Sequence, residues 1–303
     1  MKHVRREKVC LMPDNNTILT RFFTQRTIKA LISSDEDSSV FCKVVRRYNM
    51  PHSNNTSNGE MISEIYQYIA GSYRNEYLYK NTLLNKLLIN LHRINTTVAL
   101  TEVPIANSKA DFIMINGKAV VYEIKTELDT FDRLENQISD YFKAFDHVCV
   151  VTSEAQEPEL IEKFSGTPVG LYVLTKRNSI RKLKEPETFR DKLDLNVIFK
   201  ILNKCEYESI TKALCGRLPD VKPVKYYREC KRLVCEYPVE TVYPLFLKEL
   251  KKRSRIDIID FSMIPDALHF LVYFSRYDNK DYEKLIAFLN APYGEGENVL
   301  SDT

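Results

Sequence analysis

The feature that most constrains this chain is a pair of strand-like apolar runs, Asp111 to Ile115 and Lys118 to Lys125, separated only by Asn116-Gly117. Asn-Gly between two such runs is a strong local signal for a β-hairpin, because both residues tolerate the left-handed backbone that a tight reversal needs. The second run reads as buried strand from Ala119 to Tyr122 and then closes on the charged triplet Glu123-Ile124-Lys125. Ions in that setting are costly to desolvate unless they are paired or bind a metal. The triplet therefore points to chemistry.

Two carboxylates on adjacent strands, Asp111 and Glu123, can hold a hard divalent cation such as Mg²⁺, which prefers oxygen ligands. Side chains alternate along a strand, so Lys125 projects to the same face as Glu123, where an ammonium can stabilise a phosphorane-like anionic transition state. The register of the hairpin is decisive. A two-residue loop pairs Ile115 with Lys118 and sets Asp111 opposite Tyr122, on the wrong side for Glu123. The site thus requires an odd-numbered loop or a bulge, with Gly117 in the left-handed region.

Around the hairpin the periodicity predicts an α/β core. A helical pattern runs from Ser63 to Leu91, with Leu84, Leu87, Leu88 and Leu91 on one stripe. Strands follow at Thr97 to Ile105 and in the two hairpin runs. Then come a helix from Thr130 to Phe145 capped by Asp129 or Thr130, a strand from His147 to Thr152, a short helix from Pro158 to Phe164 and a strand from Val169 to Thr175. That order implies a mixed sheet covered by helices. Beyond Lys176 helical patterns dominate. The division read from this is an N-terminal helical arm with a polar linker over 1–58, a core over 59–176 and a helical C-terminal region over 177–303.

Total charge says little, since 44 Lys and Arg against 41 Asp and Glu leave +3 over 303 residues. The distribution is uneven: Lys222 to Arg255 holds ten basic and four acidic residues, with Tyr226, Tyr227, Tyr237 and Tyr243 interleaved as candidates for stacking on bases. Seven scattered cysteines with no C-x-x-C pair favour reduced thiols over an iron–sulfur cluster, and the histidines form no zinc spacing. No secretory signal is visible, and the most apolar stretch, Leu268 to Phe274, falls far short of the roughly 20 residues of a membrane span. A cytoplasmic protein without a membrane partner is expected.

Asp111, Glu123-Ile124-Lys125 and the αβββαβ order resemble the PD-(D/E)XK nuclease superfamily with its restriction-endonuclease-like core. Gln137-Ile-Ser-Asp-Tyr141 resembles the Gln-x-x-x-Tyr motif of its RecB-like branch. The likeness extends over roughly Glu76 to Thr175, and Ala110 stands where the family name has proline. It implies a Mg²⁺- or Mn²⁺-dependent deoxyribonuclease, with Asp111, Glu123 and the Ile124 carbonyl as metal ligands and Lys125 as the electrostatic catalyst. Gln137 and Tyr141, one helical turn apart, would position the site. An additional acid from the preceding helix corresponds best to Glu76, acting through a metal-held water, with Glu102 on the first strand as its rival. Arg133, four residues before Gln137, extends that stripe toward a phosphate. Two other readings stay open: a catalytically silent restriction-like fold that binds nucleic acid or protein in phage defence or counter-defence, and an RNA-directed nuclease. A dimer stays open as the assembly.

Overall fold

Six segments rich in aliphatic and β-branched residues pair into one mixed sheet whose spatial order follows the chain: β1 (Val98–Ile105), β2 (Ser108–Asn116), β3 (Lys118–Ile124), β4 (Val148–Ser153), β5 (Gly170–Leu174) and β6 (Ile180–Lys184). The first three form an antiparallel meander, β3, β4 and β5 run parallel, and β6 returns antiparallel to β5. The computed structural model describes residues 16–33, 39–89, 97–253 and 260–294. Every residue of β4 and β5 is buried, as expected for parallel strands covered on both faces.

Helices supply the covers. In chain order they are α1 (Thr17–Phe22), α2 (Gln25–Ile32), α3 (Ser39–Arg47), α4 (Asn58–Ser72), α5 (Glu76–Leu83), α6 (Leu134–Tyr141), α7 (Glu157–Phe164), α8 (Leu195–Ile201), α9 (Lys204–Cys215), α10 (Pro223–Val234), α11 (Val239–Lys251), α12 (His269–Tyr273) and α13 (Asn279–Asn290). One layer joins α1 to α5, α12 and α13 over Phe112, Met114, Val120, Tyr122 and Ile124. The other packs α6 to α11 over Ile113, Ile115, Ala119 and Val121. The chain is thus an α/β protein with a six-stranded mixed sheet between two helical layers. Among the described residues no helix is long and apolar enough to cross a membrane.

Several segments differ from the sequence reading. The helix expected from Ser63 to Leu91 is broken at Tyr73–Asn75, where the Asn75 side chain accepts from Leu78 N at 3.1 Å and starts α5 as a new helix. Leu84, Leu87 and Leu88 are buried in the π-helical turn Leu84–Ile89 that follows; Leu91 lies outside the described residues. The helix expected over 130–145 is shorter, because Asp129 instead closes a turn on Thr126, accepting from its N–H at 2.8 Å and its hydroxyl at 2.7 Å.

The boundary placed at 176 falls inside the sheet, since β6 lies beyond it. Its Ile-Arg-Lys-Leu-Lys composition disguises a strand whose charges suit an exposed sheet edge. The C-terminal region is also divided between layers, with α8 to α11 on one face of the sheet and α12 and α13 on the other beside the N-terminal helices. Base stacking by the interleaved tyrosines is not supported at two positions. Tyr243 is buried and donates to Asp146 Oδ1 at 2.8 Å, and Tyr237 donates to the Leu214 carbonyl at 2.9 Å. The six cysteines among the described residues are free thiols.

Gly170 opens β5 where β4 and Pro186 approach most closely. A Cβ there would stand 2.6 Å from Cys149 Sγ and 2.9 Å from the backbone nitrogen of Pro186. Because Cys149 is fully buried, neither neighbour has room to give. Gly170→Ala is expected to destabilise the fold by about 1–3 kcal/mol, the usual range for overpacking, seen as a lower denaturation midpoint at unchanged slope.

Candidate functional site

The hairpin turn decides whether the two central carboxylates meet. Asn116 pairs directly with Lys118, so the chain reverses over the single residue Gly117, whose φ is +72°. This is the odd loop that the site requires. Phe112 faces Tyr122 in the ladder, and one step further along Asp111 stands opposite Glu123. Ile124 N donates to Asp111 Oδ2 at 2.9 Å and fixes that carboxylate against the end of β3. Ile124, expected to offer its carbonyl, is seen to contribute its N–H.

Glu123 is 1% exposed and sits at the centre of a closed ring of hydrogen bonds. Tyr141 Oη donates to Oε2 at 2.6 Å, while Gln137 Nε2 donates to Oε1 at 2.5 Å. Lys125 Nζ lies 3.0 Å from the same Oε1 and donates to Gln137 Oε1 at 2.9 Å. The i, i+4 spacing on α6 aims both Gln137 and Tyr141 at one carboxylate. Arg133 does not join them: it occupies the N-cap position of α6 and is exposed.

On the other side of Asp111 lie two further acids. One carboxylate oxygen each from Glu76, Glu102 and Asp111 falls within 4.8 Å of the others. Glu76 comes from the first turn of α5, and Glu102 faces Asp111 across the β1–β2 ladder. The two acids treated as alternatives in the sequence are therefore neighbours. Glu102 is held at φ +56°, and the ladder skips the bridge between Thr101↔Phe112 and Val103↔Ala110 at this position. Left-handed backbone at a non-glycine residue is strained and concentrates at functional sites. The alternation of faces slips here too, since Val103 and Ala110 join the same layer as Ile113 and Ile115.

Lys80, one turn after Glu76 on α5, is the residue that sequence reasoning missed. Its ammonium pairs with Glu76 Oε1 at 2.6 Å and with Glu102, and Lys109 pairs with Glu102 from the solvent side. Burial alone would lower the pKa of Lys80, but the hydrogen bonds it donates to Glu102 and Glu76 outweigh it and the value is raised. The Glu-to-Lys i, i+4 pair was the available signal, though such pairs on helix surfaces are common.

Electrostatics set Asp111 apart. Burial first, then the charge of Glu123, raise its pKa to about 7, against the opposing Ile124 N–H and Lys80. Glu123 is also raised, chiefly by burial, with Lys125, Tyr141 and Gln137 acting the other way. Burial and the adjacent Glu123 push the Tyr141 phenol well up, so it stays a donor. Three clustered carboxylates, one kept from ionising freely by burial and by Glu123, are oxygen donors that could hold a divalent cation. No curated protein and no solved structure matches the chain. A sequence model of the family described as bacteriophage P4 protein cII matches residues 69–259, which include every residue of this site, and the chain belongs to that family.

Proposed function

We propose that the chain is a metal-dependent nuclease that hydrolyses DNA phosphodiesters on a restriction-endonuclease-like core. The observation that carries this reading is the cluster of Asp111 with Glu76 and Glu102, set beside the Glu123–Lys125 pair whose carboxylate acts on Asp111. A divalent cation held by Glu76, Glu102 and Asp111 would polarise a phosphoryl oxygen and neutralise the charge that builds up as the bond breaks. Lys125 supplies a fixed positive charge beside that position. Gln137 and Tyr141 hold Glu123, and through it Lys125, in one orientation. Membership in a phage protein family fits the defence or counter-defence setting.

The second reading, a nucleic-acid-binding module without turnover, is favoured by a different observation. Lys80 and Lys109 already neutralise Glu76 and Glu102, and both oxygens of Glu123 are engaged by protein donors. Incubation of purified protein with DNA and with RNA, in Mg²⁺ and in EDTA, separates the readings. Metal-dependent cleavage of DNA is expected, with Lys125→Ala reducing it by about a hundredfold or more while the protein stays folded. Binding with no cleavage of either polymer would favour the module, and cleavage of RNA alone would reassign the substrate.

A further inference from the structure

At the opposite end of the hairpin from Asp111, six residues and therefore roughly 20 Å along β2, the turn at Gly117 forms one wall of a cavity. Its volume is about 400 Å³, and it is lined by Ile115, Gly117, Lys118, His147, Arg190 and the outer face of α11. That volume lies within the roughly 300–1,000 Å³ of small-molecule sites. Pro244, Leu247, Lys248 and Lys251 all line it, and their spacing of i, i+3, i+4 and i+7 makes them a single helix face, apolar at one end and cationic at the other. The basic segment conspicuous in the sequence thus sends two of its lysines here.

Lys248 and Lys251 have no ion-pair partner among the described residues, whereas Lys252, at the C-cap of the helix, pairs with Glu249 at 2.6 Å. Lys118 borders the cavity at the hairpin turn, but its charge acts on Glu185 and Cys149. The one acid lining the cavity, Asp146, is fully engaged. It accepts from Tyr243 Oη at 2.8 Å and from Arg190 Nε at 3.0 Å, and it lies 2.8 Å from His147 Nδ1. His147 is held from its far side by Thr188 Oγ1, 3.1 Å from Nε2. Asp146 is buried and its pKa is lowered: burial raises it, but bonds from His147, Tyr243 and Arg190 prevail, so its charge serves that network. The network fixes the wall and leaves the rim positive. Several cations converging on a concave surface with an apolar wall match a phosphate joined to a flat organic group.

We propose that this cavity binds the phosphate of a nucleotide unit, with Lys248, Lys251 and the outer edge of the Arg190 guanidinium facing the phosphate and Pro244 and Leu247 against the base or sugar. The site is separate from the carboxylate cluster and does not rest on cleavage. It is tested with the full chain in EDTA by titrating two probes, AMP and a short 5′-phosphorylated single-stranded DNA, against wild type and two double variants. Lys248→Gln/Lys251→Gln removes two charges from the cavity. Lys225→Gln/Lys231→Gln removes the same charge from α10; Lys225, Lys248 and Lys251 are exposed and Lys231 is half-buried, so folding is expected to persist.

The expected result is that the cavity variant weakens both probes by about tenfold or more and lowers the salt dependence of DNA binding by about one counterion per lysine, while the α10 variant leaves them unchanged. If DNA responds in this way and AMP does not bind, the nucleotide unit belongs to a polynucleotide and the assignment of the cavity stands. Equal weakening by both double variants, or no binding of either probe by wild type, overturns the proposal.

Discussion

Replacing Asp111 by asparagine is expected to abolish Mg²⁺-dependent cleavage, by about a thousandfold or more, and at the same time to stabilise the metal-free protein at neutral pH. Both effects come from one carboxylate. An amide keeps the bond from Ile124 N and the shape of the side chain but removes the charge that a divalent cation needs. That charge is unfavourable when no cation is present, because burial and Glu123 have raised the pKa of Asp111 from 3.8 to about 7. The sign follows from linkage: a carboxyl whose folded value exceeds its unfolded one adds stability below about pH 4, and that contribution is lost as pH rises to about 7.

The separation corresponds to at most about 4 kcal/mol. Metal-free wild type should therefore melt at a higher temperature at pH 5 than at pH 7.5, and Asp111→Asn should reduce the difference, the raised Glu123 keeping the remainder. Carboxylates with lowered values, Glu102, Asp140, Asp146 and Glu185 among them, titrate below this window and act in the opposite direction. Added Mg²⁺ should raise the melting temperature of wild type at pH 7.5 and leave the variant unmoved. A variant that cleaves at the wild-type rate would remove Asp111 from the chemistry. One that melts at a lower temperature than wild type at pH 7.5 would contradict the electrostatic account.

Glu123→Ala is expected to have the largest effect on folding of any change at the site. Removal of this carboxylate strands Lys125, whose side chain is only 12% exposed, together with the Tyr141 hydroxyl and the Gln137 amide. Breaking one side of a buried ion pair typically destabilises by about 3–5 kcal/mol, because the remaining charge keeps its desolvation penalty. Denaturant unfolding at pH 7 checks the value. Glu123→Gln retains a hydrogen-bonding group of the same size and should fold with a smaller loss, yet remain inactive if Glu123 and Lys125 act as a charged unit. A fully active glutamine variant would reduce Glu123 to a packing role.

The hairpin shows how far local pattern reaches. Asn116-Gly117 between two apolar runs announced the reversal, and the requirement that Asp111 and Glu123 share a face restricted its loop to an odd length; the single-residue turn at Gly117 meets it. The spacing of Gln137 and Tyr141 on one helical face was equally legible. The start of α6 was not, since Asp129 turns on Thr126 instead of capping a helix, and a short polar side chain satisfies either geometry about equally well. Strand β6 escaped notice because an edge strand has no buried alternation to display.

Sequence alone determined the α/β class, the succession of the first five strands along the chain and the shared helical face of Gln137 and Tyr141. Each follows from local pattern, where periodicity and turn chemistry operate. Only the tertiary structure decided that Glu76 and Glu102 both stand beside Asp111 with Lys80 between them, since that depends on how α5 packs against the sheet. It also decided that α12 and α13 join the N-terminal helices and that the lysines of α11 meet the hairpin turn. Such contacts join segments distant along the chain through burial of apolar surface, which is non-directional and leaves no spacing to read.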